Sequence, residues 1–126
     1  MSYADGFVLV VPKKNKAAYR KMALDGAKSW LKHGALSYFE CVGTDFSVDG
    51  MDGLKNKSFP EMANAKKTDD VWFSFITYKS KKHRDQVLKK VMKEMGEQYD
   101  PSFKMPFDMT KMAKGGFETV VEKHKK

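Results

Sequence analysis

Three carboxylates stand within segments that read as strands: Asp5 among residues 3–11, Glu40 among 35–43 and Glu118 among 117–123, the last segment also holding Glu122. A carboxylate in a strand interior is costly to bury, so it needs a partner or a task. Carboxylates gathered in a poorly solvated cavity raise one another's pKa, and one then serves as a general acid or base near neutral pH. Asp5, Glu40 and Glu118 are therefore the candidate catalytic residues. The plainer alternative is that Glu40 or Glu118 points to solvent at a strand end or pairs with a lysine. Alternation puts Phe7, Tyr38, Trp72 and Ser74 on the side of the acids, as the lining of a ligand cavity. Met105, Phe107 and Asp108 complete that lining from an irregular connection, a kind of segment that often carries function. As a lid, this segment closes the cavity mouth with Met105 and Phe107. As structure, it plugs the core while Asp108 caps the next turn.

Other residues capable of chemistry are less well placed. Cys41 alternates with Phe39 and is expected to face the helices, buried and inert. A nucleophilic thiol needs a base, and His33, His83 and His124 have no spacing that brings one close. The histidines also lack metal-ligand spacing, so no metal is expected. Gly115-Gly116 is a weak phosphate signal that turn geometry explains. Residues 45–50 match the first half of a calcium loop, but Asn56 stands where the pattern needs glutamate.

The elements that must position these side chains follow from period and punctuation. Residues 3–11 read as a strand ended by Pro12, which cannot donate to a ladder. Asn15 is a plausible N-cap for a helix to His33, with Tyr19, Met22, Ala23, Gly26, Ala27 and Trp30 on one face and Gly34 as its stop. A second strand covers 35–43, and a short helix begun by Pro60 lies within 59–65. Residues 71–78 are rich in aromatic and β-branched types, so they form a strand. Ser80 caps a second helix whose apolar stripe is the Arg84 stem, Val87, Leu88, Val91, Met92 and Met95, ended by Gly96. Residues 97–115 are irregular, and a last strand runs from Phe117 to about Lys123.

The order β-α-β-β-α-β, with right-handed crossovers, gives an α+β, ferredoxin-like fold. Its antiparallel four-stranded sheet has the order 4-1-3-2 and both helices on one face, in one domain spanning 1–126. In that order Asp5 is expected near Glu118 on one side and near Trp72 or Ser74 on the other. The first strand is apolar on both faces, whereas a sheet wetted on one side should be polar there. A second copy of the chain is the economical cover for the helix-free face, closing a two-subunit barrel. The acids are assigned to the interior of that barrel.

Composition narrows the class. The chain is 41% hydrophobic and 32% charged, which is globular rather than disordered. No apolar run approaches the ~20 residues that span a bilayer, and residues 1–6 lack the basic and apolar regions of a signal peptide. A lone cysteine suits a reducing compartment, so a soluble cytoplasmic protein is expected. The net charge of +8 raises nucleic acid as a partner. Only Arg20 and Arg84 among 24 basic residues are arginine, which argues against nucleic acid and for a lysine-rich wetted surface.

Asp5-Gly6-Phe7-Val8, Val11-Pro12, Tyr19, Gly34-Ala35-Leu36, Glu40-Cys41, the strand 71–78, Arg84-Asp85, Met105-Pro106-Phe107-Asp108 and Gly115-Gly116-Phe117-Glu118 together resemble the YbaA-like family. These are uncharacterised bacterial proteins within the dimeric α+β barrel superfamily. The resemblance spans nearly the whole chain. It implies a ferredoxin-like fold and a homodimer, and it implies no established activity. The leading expectation is a homodimeric barrel that holds a small organic ligand between the sheet and the 100–115 loop. Cofactor-free oxygenase or isomerase-like chemistry would suit such a pocket, and no cofactor is called for. A non-enzymatic module that meets an acidic partner or nucleic acid through the lysine-rich helices is one alternative. Haem binding or degradation, as in some members of the superfamily, is the other, with Trp72 and His83 as its residues.

Overall fold

A computed structural model describes residues 1–126, the side chain of Met51 excepted. Its longer elements are β1 (Tyr3–Pro12), α1 (Lys16–Lys32), β2 (Ser37–Val42), α2 (Phe59–Met62), β3 (Asp69–Tyr78), α3 (Lys81–Glu97) and β4 (Ala113–Glu118). The sheet order is β2-β3-β1-β4 with every neighbouring pair antiparallel. This is the expected α+β, ferredoxin-like arrangement. β1 and β2 are therefore parallel to each other, as are β3 and β4, and α1 and α3 form the two crossovers.

Local chemistry explains most boundaries. Ser80 and Ser58 cap α3 and α2, their side chains accepting from the His83 and Glu61 amides. Asn15 precedes α1 but makes no capping bond; its amide instead donates to the Pro106 carbonyl at 2.8 Å. Gly34, at φ +115°, takes the conformation that ends a helix without a Cβ penalty. α3 runs one residue past Gly96, and Met92 and Met95 lie largely exposed rather than on its packed stripe.

The last strand departs most from expectation. β4 begins at Ala113, four residues before Phe117, and ends at Glu118 rather than near Lys123. Gly115 and Gly116 therefore pair within the sheet, opposite Gly6 and Asp5. Gly116 is needed there because a Cβ would run into the Tyr3 ring.

The core lies between the sheet and the two long helices in two clusters. One joins Tyr3, Ile76 and Tyr78 to Val87 and Val91 of α3, and the other joins Leu9, Val11 and Trp72 to Tyr19 and Ala23 of α1 and to Phe107. Phe7 packs against both. Each fully buried valine or leucine contributes about 1.5–3 kcal/mol over its exposed form. The stripes of α1 and α3 therefore fasten both crossovers to this one face.

The opposite face carries neither long helix; α2 meets one end of it, Phe59 lying edge-on to Phe73 at 6.4 Å, and Val10 and Val71 there are buried. From Ala4 to Val10, Ser37 to Cys41, Val71 to Thr77 and Ala113 to Phe117, its alternate residues include no charged side chain. Phe39 stacks on Phe75 with ring centroids 4.8 Å apart, and Phe73 lies 5.7 Å from Phe75. Phe39, Phe73 and Phe117 are all exposed. Cys41 is on this face and exposed, not buried under the helices. No helix is long and apolar enough to cross a membrane among the described residues.

Candidate functional site

The acid-bearing face is the one under the helices, so the assignment to a helix-free barrel interior is reversed. Every strand alternates with period two, which means one inversion moved all the sets together. Asp5, Phe7, Tyr38, Glu40, Trp72 and Ser74 do share a face, and α1 and α3 cover it. The helices bring partners for two of the acids.

Asp5 is buried and answered by charge. Its Oδ1 accepts from Arg84 Nη1 of α3 at 2.7 Å, and its Oδ2 accepts from the Tyr78 hydroxyl at 3.1 Å. The Tyr78 hydroxyl in turn accepts from Trp30 Nε1 of α1 at 3.1 Å. Arg84 also binds Asp85 through Nε at 2.8 Å, and its guanidinium lies 5.0 Å from the Tyr3 ring centre. Burial and the neighbouring Asp5 push the Tyr78 hydroxyl well above the usual tyrosine range, so it remains a donor. This cluster ties β1, β3, α1 and α3 together.

Glu40 has a different environment. Its Oε1 accepts from the Tyr19 hydroxyl of α1 at 2.8 Å, and its Oε2 accepts from the Tyr38 hydroxyl at 3.1 Å. These hydrogen bonds come from neutral groups. Burial pushes the Glu40 carboxyl up from its ordinary value, against the hydrogen bonds from Tyr19, Tyr38 and Ser74 that favour the anion. Burial first, then Glu40 itself, pushes both tyrosine hydroxyls far up. Tyr19 also meets Trp72 at 4.8 Å between ring centroids and Phe107, edge-on, at 5.6 Å. Trp72 Nε1 is buried without a hydrogen-bond partner among the described residues.

The third acid stays apart. Glu118 ends β4, is exposed, and pairs in register with Tyr3 rather than lying beside Asp5. Of the 105–108 segment, Phe107 is buried in the α1 cluster while Met105 is largely exposed. Asp108 caps a short turn, accepting from the Thr110 amide and hydroxyl. Trp72 and His83 are not together. Trp72 sits in the Tyr19 cluster, whereas His83 lies edge-on to Tyr78 with Nδ1 accepting from the Lys79 amide.

Two open clefts lie away from the acids. One of about 370 Å³ is bordered by Cys41, Phe46, Phe59, Val71 and Phe73 at the end of the face opposite α1 and α3. The other, of about 550 Å³, is bordered by Pro12, Lys13, Lys14, Lys67 and Thr68.

The residues missing from a strand-based reading are Tyr19, Tyr78, Trp30 and Arg84. The signal for two of them was in the helices. A tyrosine and an arginine stand in otherwise apolar stripes, which marks positions facing something polar.

Comparison with known proteins places the chain. The profile of a family described as "Protein of unknown function (DUF1428)" matches residues 2–109. The "Uncharacterized protein YbaA" of Escherichia coli strain K12 is 39% identical over 127 residues, covering 97% of this chain and 99% of that relative. The YbaA proteins of Escherichia coli O157:H7 and Shigella flexneri match to the same extent. Among solved structures, a de novo designed protein, Foldit4, superposes with a TM-score of 0.45 at 9% identity, over 94% of this chain and 99% of that one.

Proposed function

The chain belongs to the DUF1428 family of proteins of unknown function, and we propose from its geometry that it acts as a homodimer binding a small organic ligand beside Glu40, which exchanges a proton with it. The observation that carries this reading is Glu40 itself. It is a carboxylate held under a helix by two tyrosine hydroxyls, with burial raising its pKa. A structural acid is more simply satisfied by a cation, as Asp5 is. A carboxyl that burial makes a stronger base than an ordinary one suits general acid–base work.

The ligand enters where Phe107 now sits. Lifting Phe107 from its cluster costs about 1.5–3 kcal/mol in lost burial. Breaking the Asn15–Pro106 hydrogen bond adds about 0.5–1.5 kcal/mol. The open form is then populated at roughly 0.05–3%, within the range that a ligand of moderate affinity draws on.

The sheet face opposite α1 and α3 supports the dimer. Its strands span a face of roughly 400 Å², from about 4.8 Å between strands and about 3.3 Å per residue. This is about half of the ~800 Å² that each partner of a standard interface contributes. An uncharged, phenylalanine-rich patch of that size suits a two-fold contact with its own copy.

Native mass spectrometry of protein taken from cells tests both parts. A dimer that carries a retained small molecule, with Phe73→Lys yielding monomers, is the expected result. A folded monomer at micromolar concentration, with Cys41 fully reactive to a thiol reagent, would remove the dimer.

A further inference from the structure

Resting on that reading of the pocket, we infer that the ligand is an enolisable carbonyl compound whose oxygen accepts a hydrogen bond from Trp72 Nε1 while Glu40 takes a proton from the carbon beside the carbonyl. Buried polar groups are nearly always hydrogen-bonded, and leaving one unsatisfied costs about 1–3 kcal/mol. Trp72 is 5% exposed, and its Nε1 has no acceptor among the described residues. A core position chosen only for packing would be filled by phenylalanine without that penalty. An indole is retained more simply if its N–H acts on something that arrives.

The neighbours specify what arrives. Trp72 and Ser74 lie two residues apart on one face of β3, and Glu40 pairs in register with Ser74. The Tyr19 ring joins the two, lying tilted against Trp72 at 4.8 Å between centroids and reaching Glu40 through its hydroxyl. Phe107 packs on the same tyrosine, so its displacement opens an apolar slot beside a hydrogen-bond donor and a carboxylate. A flat, apolar molecule fits aromatic walls of this kind. It needs an oxygen to satisfy the indole and an acidic C–H to use the carboxylate.

The chemistry balances without a co-reactant. The Glu40 carboxylate removes a proton from the α-carbon, the C–H pair becomes a C=C bond, and the carbonyl π pair moves to oxygen. The indole N–H stabilises that enolate oxygen. Return of the proton from Glu40 to the same carbon gives exchange, and return to a conjugated carbon gives an isomer.

The test uses full-length protein with ¹⁵N-labelled tryptophan, in which only the Trp30 and Trp72 indole signals occur. Acetophenone is titrated in parallel with α-methylstyrene, the hydrocarbon of the same shape. The expected result is a saturable shift of the Trp72 signal with acetophenone only. Affinity for acetophenone should exceed that for the hydrocarbon about tenfold, and Trp72→Phe should abolish that preference. Deuterium should enter the acetophenone methyl group in D₂O faster than in buffer, and Glu40→Gln should remove the excess. Equal binding of both probes would leave the pocket standing and overturn the carbonyl assignment. Binding of neither probe up to its solubility limit would overturn the pocket and the assignment together. The wild-type indole shift is read without any variant, so a poorly folded Trp72→Phe protein leaves the test intact.

Discussion

Asp5 and Glu40 lie on one face of one sheet, both under helices, and they are satisfied in opposite ways. Asp5 has a guanidinium at 2.7 Å and a tyrosine hydroxyl, so its charge is neutralised where it sits. Glu40 has two tyrosine hydroxyls at 2.8 and 3.1 Å, which solvate an anion without cancelling it. A carboxylate paired with a cation fastens elements together, whereas burial pushes the one held by neutral donors up from its ordinary pKa. The first arrangement is architecture. The second is the kind that catalysis uses.

The comparison breaks most sharply by removing each acid in turn. Asp5→Ala leaves the Arg84 guanidinium and the Tyr78 hydroxyl without their partner in a largely buried setting, and should lower unfolding stability by about 3–5 kcal/mol. Urea denaturation followed by tryptophan fluorescence reads it. A loss under 1 kcal/mol would put Asp5 in the same class as Glu40. Next in size is Gly116→Ala on β4, across from Asp5. The new methyl meets the Tyr3 ring, which lies against Arg84. Overpacking of this kind costs about 1–3 kcal/mol, and the Asp5–Arg84 coupling in a double-mutant cycle should shrink with it.

Glu40→Gln should be nearly silent or slightly stabilising at neutral pH, within about 1 kcal/mol, because the amide oxygen still accepts while the desolvated charge is gone. The pH dependence carries the sign. The folded-state pKa of Glu40 is raised, so the folded chain holds this proton more tightly than the unfolded one. Wild-type stability from this group is therefore fullest below its unfolded pKa of about 4.3 and is lost as pH rises through the folded value. The midpoint difference between wild type and Glu40→Gln should widen from pH 4.5 upward. A flat difference would mean that Glu40 is as well compensated as Asp5. The same titration, followed by carboxyl ¹³C shifts, should place the Glu40 midpoint above the usual carboxylate range.

The strands read at 3–11 and 71–78, found at Tyr3–Pro12 and Asp69–Tyr78, the two long helices and the strand order were legible because hydrophobic period, Pro12 and the Ser80 cap agreed along the chain. That Asp5, Glu40, Trp72 and Ser74 share a face was legible for the same reason. Which face it was could not be read from alternation alone, because β1 is apolar on both sides and the strand pattern has no sign. The helices held the sign: Tyr19 and Arg84 interrupt apolar stripes at the positions that meet Glu40 and Asp5. A pair of polar interruptions, one in a strand and one in the helix that crosses it, marks the covered face better than either does alone. β4 was misplaced because Gly115 and Gly116 read as a turn, while the Tyr3 ring across the sheet selects glycine within the strand. That selection comes from a residue more than a hundred positions away, where local propensity carries no information.

A further carboxylate, Glu94, calibrates the other two. Glu94 on α3 accepts from Ser29 Oγ of α1 at 2.9 Å and meets Lys32 Nζ of α1 and His33 Nε2 just past its end, each at 2.8 Å. Lys32 first, then His33 and Ser29, hold its pKa down to about 2. Like Asp5 it joins two elements through a cation, but it does so near the surface, where solvent and salt screen the attraction. Glu94→Gln should lower the urea midpoint at pH 7 by less than any substitution above except Glu40→Gln. A depressed folded-state pKa stabilises above the unfolded value and is lost as pH falls through the folded one. The effect should therefore fade between pH 4.5 and 2, opposite in slope to that of Glu40, and diminish in 1 M salt. If Glu94→Gln and Glu40→Gln gave the same slope, neutral donors and cations would be equivalent partners for a carboxylate in this fold, and the distinction between the two buried acids would fall with it.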